Sequence, residues 1–156
     1  MADSQEKVLL VAFLLFMLFL ACILALWEIQ IEGKDGWAGG LPGWRVEKGQ
    51  VIKLTGGRPI TGYHVYMTIF LIAVIHLPLF FLPWTLRLES LLIGFYVGMV
   101  LVEDFLWFCL NPYYGLKNFR RGKIWWHRRW WGPVPDLYWI LMILVLILIY
   151  WGRPAL

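Results

Sequence analysis

Four apolar runs separated by two long polar regions dominate the pattern of the chain. Residues 8–27 contain neither a charged residue nor a proline, and a helix of that length spans about 30 Å, the thickness of the hydrocarbon core of a bilayer. Similar runs predict transmembrane helices at about residues 8–29, 62–83, 87–110 and 135–152, joined by polar loops at 30–61 and 111–134. The pattern therefore predicts an all-α integral membrane protein, a four-transmembrane-helix bundle that forms a single domain over residues 1–156.

Local signals sharpen the ends of these elements. Thr61 is placed to cap the second helix, and Asn111, which is followed by proline, should end the third. Pro78 lies inside the second run and should kink the helix there, because proline lacks a backbone N–H. In the first polar loop, Lys48 is followed by glycine, which predicts the turn of a short hairpin.

The segment between the third and fourth predicted helices is basic and rich in tryptophan. If residues 121–131 are helical, three tryptophans and His127 share one face, whereas Arg121, Arg128 and Arg129 lie on the opposite side. This arrangement is typical of a helix that lies in the membrane interface. We therefore predict an amphipathic interfacial helix between helices three and four.

Composition supports a membrane protein and suggests its orientation. The chain is 61% hydrophobic and 15% charged, whereas soluble domains are roughly 45–50% apolar and about 25% charged. Most of the 14 lysine and arginine residues lie in the two predicted loops. The positive-inside rule then places both loops in the cytoplasm and both termini outside the cell (inner) membrane. A net charge of +4 that comes from residues flanking apolar runs is not a nucleic-acid signature, so we expect no nucleic-acid partner.

Two adjacent carboxylates, Glu103 and Asp104, interrupt the third apolar run. A carboxylate inside a bilayer costs about 2.5–3.5 kcal/mol, so such residues usually pair or serve a function. The predicted topology brings both to the same end of the bundle as Glu28, His64, His127 and Asp136. We therefore predict that Glu103, Asp104, His64 and His127 form the catalytic or metal-binding site. Glu103 and Asp104 should contact different neighbours, because successive helical residues point about 100° apart.

Three interpretations of this site remain open. Carboxylates and imidazoles bind iron, manganese or zinc, although the Glu-x-x-His spacing of di-metal bundles does not occur here. Alternatively, the groups handle protons or bind a ligand without metal, or they form a structural cluster with nearby arginines. The function predicted first is binding of, or action on, an amphipathic or lipid headgroup ligand, with Arg58, Arg128 and Arg129 holding an anionic headgroup. Motifs for nucleotide binding or hydrolysis do not occur, so the sequence does not decide whether the chain is an enzyme.

One face of the third helix indicates another function. Glu89, Tyr96 and Glu103 are spaced by seven residues and so lie within about 40° of one another, as a small proton-coupled carrier or channel, acting as a homo-oligomer, would require. His76 could extend such a relay, but we expect it to bond the carbonyl freed near Val74 by the following proline. The third function open to the chain is that of a structural or assembly subunit that contacts a membrane-complex partner.

Overall fold

The computed structural model describes residues 2–55 and 57–153, without the side chains of residues 2, 3 and 54. The described chain is mostly helical, and its elements in order are α1 (Ala2–Glu32), β1 (Arg45–Val46), α2 (Gln50–Leu54), β2 (Ile60–Thr61), α3 (Gly62–Ile75), α4 (Leu86–Leu110), β3 (Trp130–Trp131), β4 (Val134–Pro135) and α5 (Asp136–Gly152). The short strands form two antiparallel pairs, β1 with β2 and β3 with β4. Single 3₁₀ turns occur at Leu77–Phe80 and Leu116–Asn118.

Helix α4 is the central element, because it packs against α1 on one side and α5 on another. Glycines allow the close approach to α5: a Cβ on Gly94 would lie 3.1 Å from Leu148 and Ile149 side-chain atoms. Gly98 likewise lies between Met17 of α1 and Val145 of α5. Small residues at a helix contact let the two backbones approach and gain van der Waals contact along their length.

Two apolar clusters hold the helices together. The first joins α1 and α4, and α3 adds Met67, Leu71 and Ile75 to its edge. The second lies where the two long loops meet the helices, at what we call the loop end of the bundle. It is centred on Phe108, which is 1% exposed and stacks on the Trp126 ring at a centroid distance of 5.8 Å. The loop after α4 is therefore anchored by aromatic packing beneath the helix ends.

Two helices in the described part of the chain are long and apolar enough to cross a membrane, Ser4–Glu32 and Leu86–Leu110. The two other predicted spans contain shorter apolar helices, Gly62–Ile75 and Asp136–Gly152. The second predicted helix does not continue through Pro78 with a kink. It ends at Ile75, and the proline instead occupies the first turn of the 3₁₀ segment. The N–H groups of a first turn have no partner within the helix, so the N–H that proline lacks costs no hydrogen bond there.

The predicted caps of α3 and α4 are present. Thr61 accepts a hydrogen bond from the backbone N–H of His64 at 3.3 Å, and α4 ends at Leu110 with Asn111 as its C-cap. The predicted hairpin turn after Lys48 is wrong, because the short helix α2 begins at Gln50 and β1 pairs with the more distant β2.

The amphipathic interfacial helix predicted for residues 121–131 is also wrong. This segment consists of turns that end in β3, which pairs with β4 across a turn containing Gly132 at φ 66°. Gly122 adopts φ 82°, a left-handed conformation that interrupts a right-handed helix. The side chain of Trp126 packs into the second apolar cluster, so tertiary packing outweighs the helical periodicity of the segment.

Candidate functional site

A cavity of about 180 Å³ lies at the loop end of the bundle, and every long helix contributes to it. All four predicted catalytic or metal-binding residues line this cavity, together with further ionisable side chains. Its ionisable and hydroxyl-bearing lining residues include Glu28, Glu32, Arg58, His64, Tyr96, Glu103, Asp104, His127 and Tyr138. Apolar residues of α3, α4 and α5, among them Met67, Val100 and Leu141, also line the cavity.

A chain of hydrogen bonds links the two loops to α4 and α5. The Arg58 guanidinium donates from Nη2 to Nδ1 of His127 at 2.6 Å and from Nε to the Trp126 carbonyl at 2.9 Å. On its other side, Nε2 of His127 lies 2.9 Å from Oδ2 of Asp104, which also accepts a hydrogen bond from the Tyr138 hydroxyl. The four side chains thus form one continuous polar wall of the cavity.

These hydrogen bonds fix the tautomer of His127. Arginine can only donate hydrogen bonds, so Nδ1 of His127 accepts, and the proton lies on Nε2. That proton is then donated to Asp104. Burial lowers the pKa of the Arg58 guanidinium, and the nearby Asp104 carboxylate opposes this shift. Because both ring nitrogens are engaged, His127 is held in one orientation, and it orients Asp104 in turn.

Glu103 points to a different neighbour from Asp104, as their helical spacing predicts. Its side chain is 5% exposed and lies in hydrogen-bonding contact with the carboxyl group of Glu28 on α1. The other oxygen, Oε1, is buried and has no hydrogen-bond partner. In the described part of the chain, neither carboxyl group forms an ion pair with a lysine or arginine. The alternative in which Glu103 pairs with an arginine in a structural cluster is therefore not what the described residues show.

Glu32 and His64 form a second polar pair on the cavity wall. The Oε1 atom of Glu32 lies 3.5 Å from Nε2 of His64 and accepts the backbone N–H of Ala38 at 2.5 Å. The other ring nitrogen of His64 lies 2.7 Å from the hydroxyl of Thr61. This geometry places an imidazole between a helix cap and a carboxylate, in contact with the cavity.

The loop after α1 adopts an unusual backbone to reach this pair. Trp37 and Ala38 have φ values of 48° and 51°, a region that bulky residues rarely occupy. Three contacts hold Trp37 there: its indole N–H donates to the Pro59 carbonyl at 2.8 Å, its ring stacks on His64 at 4.2 Å, and the Arg58 guanidinium lies 5.3 Å from the ring centroid. Such strain persists only where neighbouring contacts determine the conformation.

The three predicted headgroup-binding arginines surround a separate hollow of about 110 Å³. Arg58, Arg128 and Arg129 line it, and Asp136 is the carboxylate present, 3.1 Å from Nε of Arg129. The hollow and the cavity share a wall that consists of Arg58, Trp126, His127 and Leu137. We call the first site the carboxylate cavity and the second the arginine hollow.

The predicted metal ligands are near one another but are not arranged as a metal site. Among the described residues, no group of three or more histidine, cysteine, aspartate or glutamate side chains could hold a metal ion. The pairing explains why: Asp104 and His127 bond to each other, and Glu32 and His64 form a separate pair. The predicted metal-binding role of these residues remains a prediction.

The face formed by Glu89, Tyr96 and Glu103 is divided between the two ends of α4. Tyr96 and Glu103 line the carboxylate cavity, whereas Glu89 lies near the other end of the helix and contacts Nε2 of His76 at 3.1 Å. The predicted carbonyl partner of His76 is wrong by two residues, because its Nδ1 lies 2.7 Å from the carbonyl of Ile72. The helix ends at Ile75, so His76 already belongs to the end of the bundle and not to its middle.

Several lining residues were not among the predicted site residues. The predicted topology had brought Glu28 to this end of the bundle without assigning it to the site. Its spacing of four residues from Glu32 places both on one helix face and could have identified them as lining residues. Tyr138 is the third residue of α5, and nothing in the sequence distinguishes it from the other aromatic residues near the ends of that helix. Trp37 depends on its left-handed backbone, for which the sequence carries no signal.

In the described residues, the chain is mostly helical, has two helices long and apolar enough to cross a membrane, and encloses a carboxylate and histidine cavity. No model of a known protein family matches the chain, and no curated protein or solved structure matches it.

Proposed function

We propose that the chain is an integral membrane protein with four spans, both loops in the cytoplasm and both termini outside. Helix α3 and its 3₁₀ turn together rise about 29 Å, and α5 rises about 26 Å, so each comes close to the thickness of the hydrocarbon core. Large apolar side chains such as Phe16, Phe70 and Leu146 are more than half exposed on the outer faces of three helices. Soluble proteins rarely expose such continuous apolar surface, which lipid would cover.

Cysteine labelling tests this topology. In a chain without Cys22 and Cys109, Lys48→Cys and Lys117→Cys should react with a membrane-impermeant reagent from the same side, and Arg87→Cys from the opposite side. Labelling of Lys48→Cys and Lys117→Cys from different sides would contradict four spans. Labelling of both from outside would keep the four spans but reverse the orientation.

We further propose that the carboxylate cavity binds the polar headgroup of an amphipathic or lipid ligand. One observation carries this proposal: Glu103, which has a buried carboxylate oxygen without a hydrogen-bond partner, lines a cavity whose wall is partly polar and partly apolar. A buried carboxylate oxygen left unpaired is costly, and a ligand that donates a hydrogen bond would relieve that cost. The apolar residues of the same wall would contact the part of the ligand next to its headgroup.

Titration of the purified protein in non-ionic detergent with short-chain lipids tests the proposal. Binding should saturate, depend on the headgroup and change the fluorescence of the tryptophans at the cavity. Glu103→Gln should weaken it, whereas Glu47→Gln, which changes an exposed carboxylate on the first loop, should not. Binding that is absent, or equal in the two variants, would contradict a headgroup site at Glu103.

A further inference from the structure

The two neighbouring sites differ in their ionisable groups. The carboxylate cavity holds four carboxyl groups, those of Glu28, Glu32, Glu103 and Asp104, and its one guanidinium, Arg58, already donates to the Trp126 carbonyl and to His127. The cavity also presents aromatic rings. Carboxylates combined with aromatic rings are the chemistry that recognises an ammonium group.

The arginine hollow has the opposite composition. Three guanidinium groups line it against the single carboxylate of Asp136, which pairs with Arg129. The Arg128 guanidinium lies beside the backbone at Gly57. The other two arginines of the hollow, Arg58 and Arg129, are also cationic. Guanidinium groups bind phosphate oxygens through paired N–H donors, and several of them around one hollow favour a phosphate over a single carboxylate.

A single layer of side chains separates the two sites. Arg58, Trp126, His127 and Leu137 face the cavity on one side and the hollow on the other. In a phosphoethanolamine headgroup, two carbons join the phosphate to the amine, so the two charges are also close neighbours. A ligand that follows the edge of this wall would place its amine beside the carboxyl groups and its phosphate beside the guanidinium groups.

We propose that the headgroup bound at this end of the bundle is zwitterionic, with its ammonium group in the carboxylate cavity and its phosphate in the arginine hollow. The unpartnered Oε1 of Glu103 accepts a hydrogen bond from the ammonium group. Arg128 donates to the phosphate, and Arg58 and Arg129 line the same hollow. This inference rests on the proposed headgroup site and adds the charge of the headgroup to it.

Three detergent-soluble probes with the same alkyl chain test the inference by calorimetric titration: an alkyl phosphoethanolamine, an alkyl phosphate and an alkylamine. The zwitterionic probe should bind at least about tenfold more tightly than either singly charged probe, since each subsite adds a charge-assisted hydrogen bond. Glu103→Gln should reduce its affinity to that of the alkyl phosphate. Arg128→Gln should reduce it to that of the alkylamine.

The outcomes separate the inference from the proposal on which it rests. An alkylamine that binds as tightly as the zwitterion, unaffected by Arg128→Gln, would overturn the phosphate subsite but keep the headgroup site. An alkyl phosphate that binds as tightly as the zwitterion would overturn the ammonium subsite. Failure of all three probes to bind would contradict the headgroup site itself.

If Glu103→Gln does not fold, the affinities of the three probes for the unchanged chain still distinguish these outcomes. Lys117→Gln, a charge change on the second loop away from both sites, is the matched control for Arg128→Gln.

Discussion

Replacing His127 with phenylalanine tests the polar wall most directly. The substitution keeps an aromatic ring beside Phe108 but removes the acceptor for Arg58 and the donor to Asp104. A hydrogen bond to a charged group contributes about 1.5–3 kcal/mol. Arg58 keeps the Trp126 carbonyl, and the Asp104 side chain is 22% exposed and keeps Tyr138, so the low end applies to each bond. We expect His127→Phe to lower the free energy of unfolding by about 3 kcal/mol.

The assay is equilibrium unfolding in mixed micelles with increasing SDS, followed by far-UV circular dichroism. His76→Phe is the matched control, because its contacts with Glu89 and with the Ile72 carbonyl are exposed or partly exposed and together should contribute less than about 1 kcal/mol. Tyr138→Phe combined with His127→Phe adds a further test, since both groups bond Oδ2 of Asp104 and should couple by at least about 0.5 kcal/mol. Equal losses in the two histidine variants, or additive losses in the double variant, would refute the proposed wall.

Three further predictions follow from the same structure. Asn111→Ala removes one hydrogen bond to the Gly33 carbonyl and two from the backbone of the next loop, so it should lower the free energy of unfolding by about 3 kcal/mol in the same titration; a loss below about 1 kcal/mol would contradict it. Gly152→Ala would push a Cβ to 2.8 Å from the backbone of α4 and should cost about 1–3 kcal/mol, whereas Gly43→Ala, with open space around it, should have little effect on the unfolding midpoint. Treatment with a strong chelator should leave headgroup binding unchanged, because the described side chains do not surround a metal position; loss of binding that added zinc, iron or manganese restores would show that a metal is required.

The features that depend on neighbouring residues could be predicted from the sequence. Thr61 and Asn111 mark real helix ends, and the roughly 100° between Glu103 and Asp104 correctly separates their partners. Topology alone was sufficient to bring His64 and His127 to the same end of the bundle as these carboxylates. Each of these conclusions needs only helical geometry and short-range capping.

The features that depend on packing could not be predicted in this way. The periodicity of residues 121–131 fits a helix, but burial of Trp126 and the left-handed Gly122 produce turns instead. The hydrogen bond from Arg58 to His127 joins residues in different loops, and the sequence offers many other arginines as partners. The strained backbone at Trp37 brings Ala38 to Glu32, and neither residue type predicts that conformation.

The wall between the two sites also has a consequence for how the chain folds. Arg58 and His127 are 69 residues apart, Asp104 and Tyr138 are 34 residues apart, and the second contact requires α5 to be in place. Contacts between distant residues form late, because a long loop must close before they contribute any stability. We therefore expect α1, α3 and α4 to associate first and the wall to form last. A chain that ends before α5 would retain most of its helices and His127 yet leave Asp104 without the Tyr138 hydroxyl, so the polar wall is complete only after the last helix has packed.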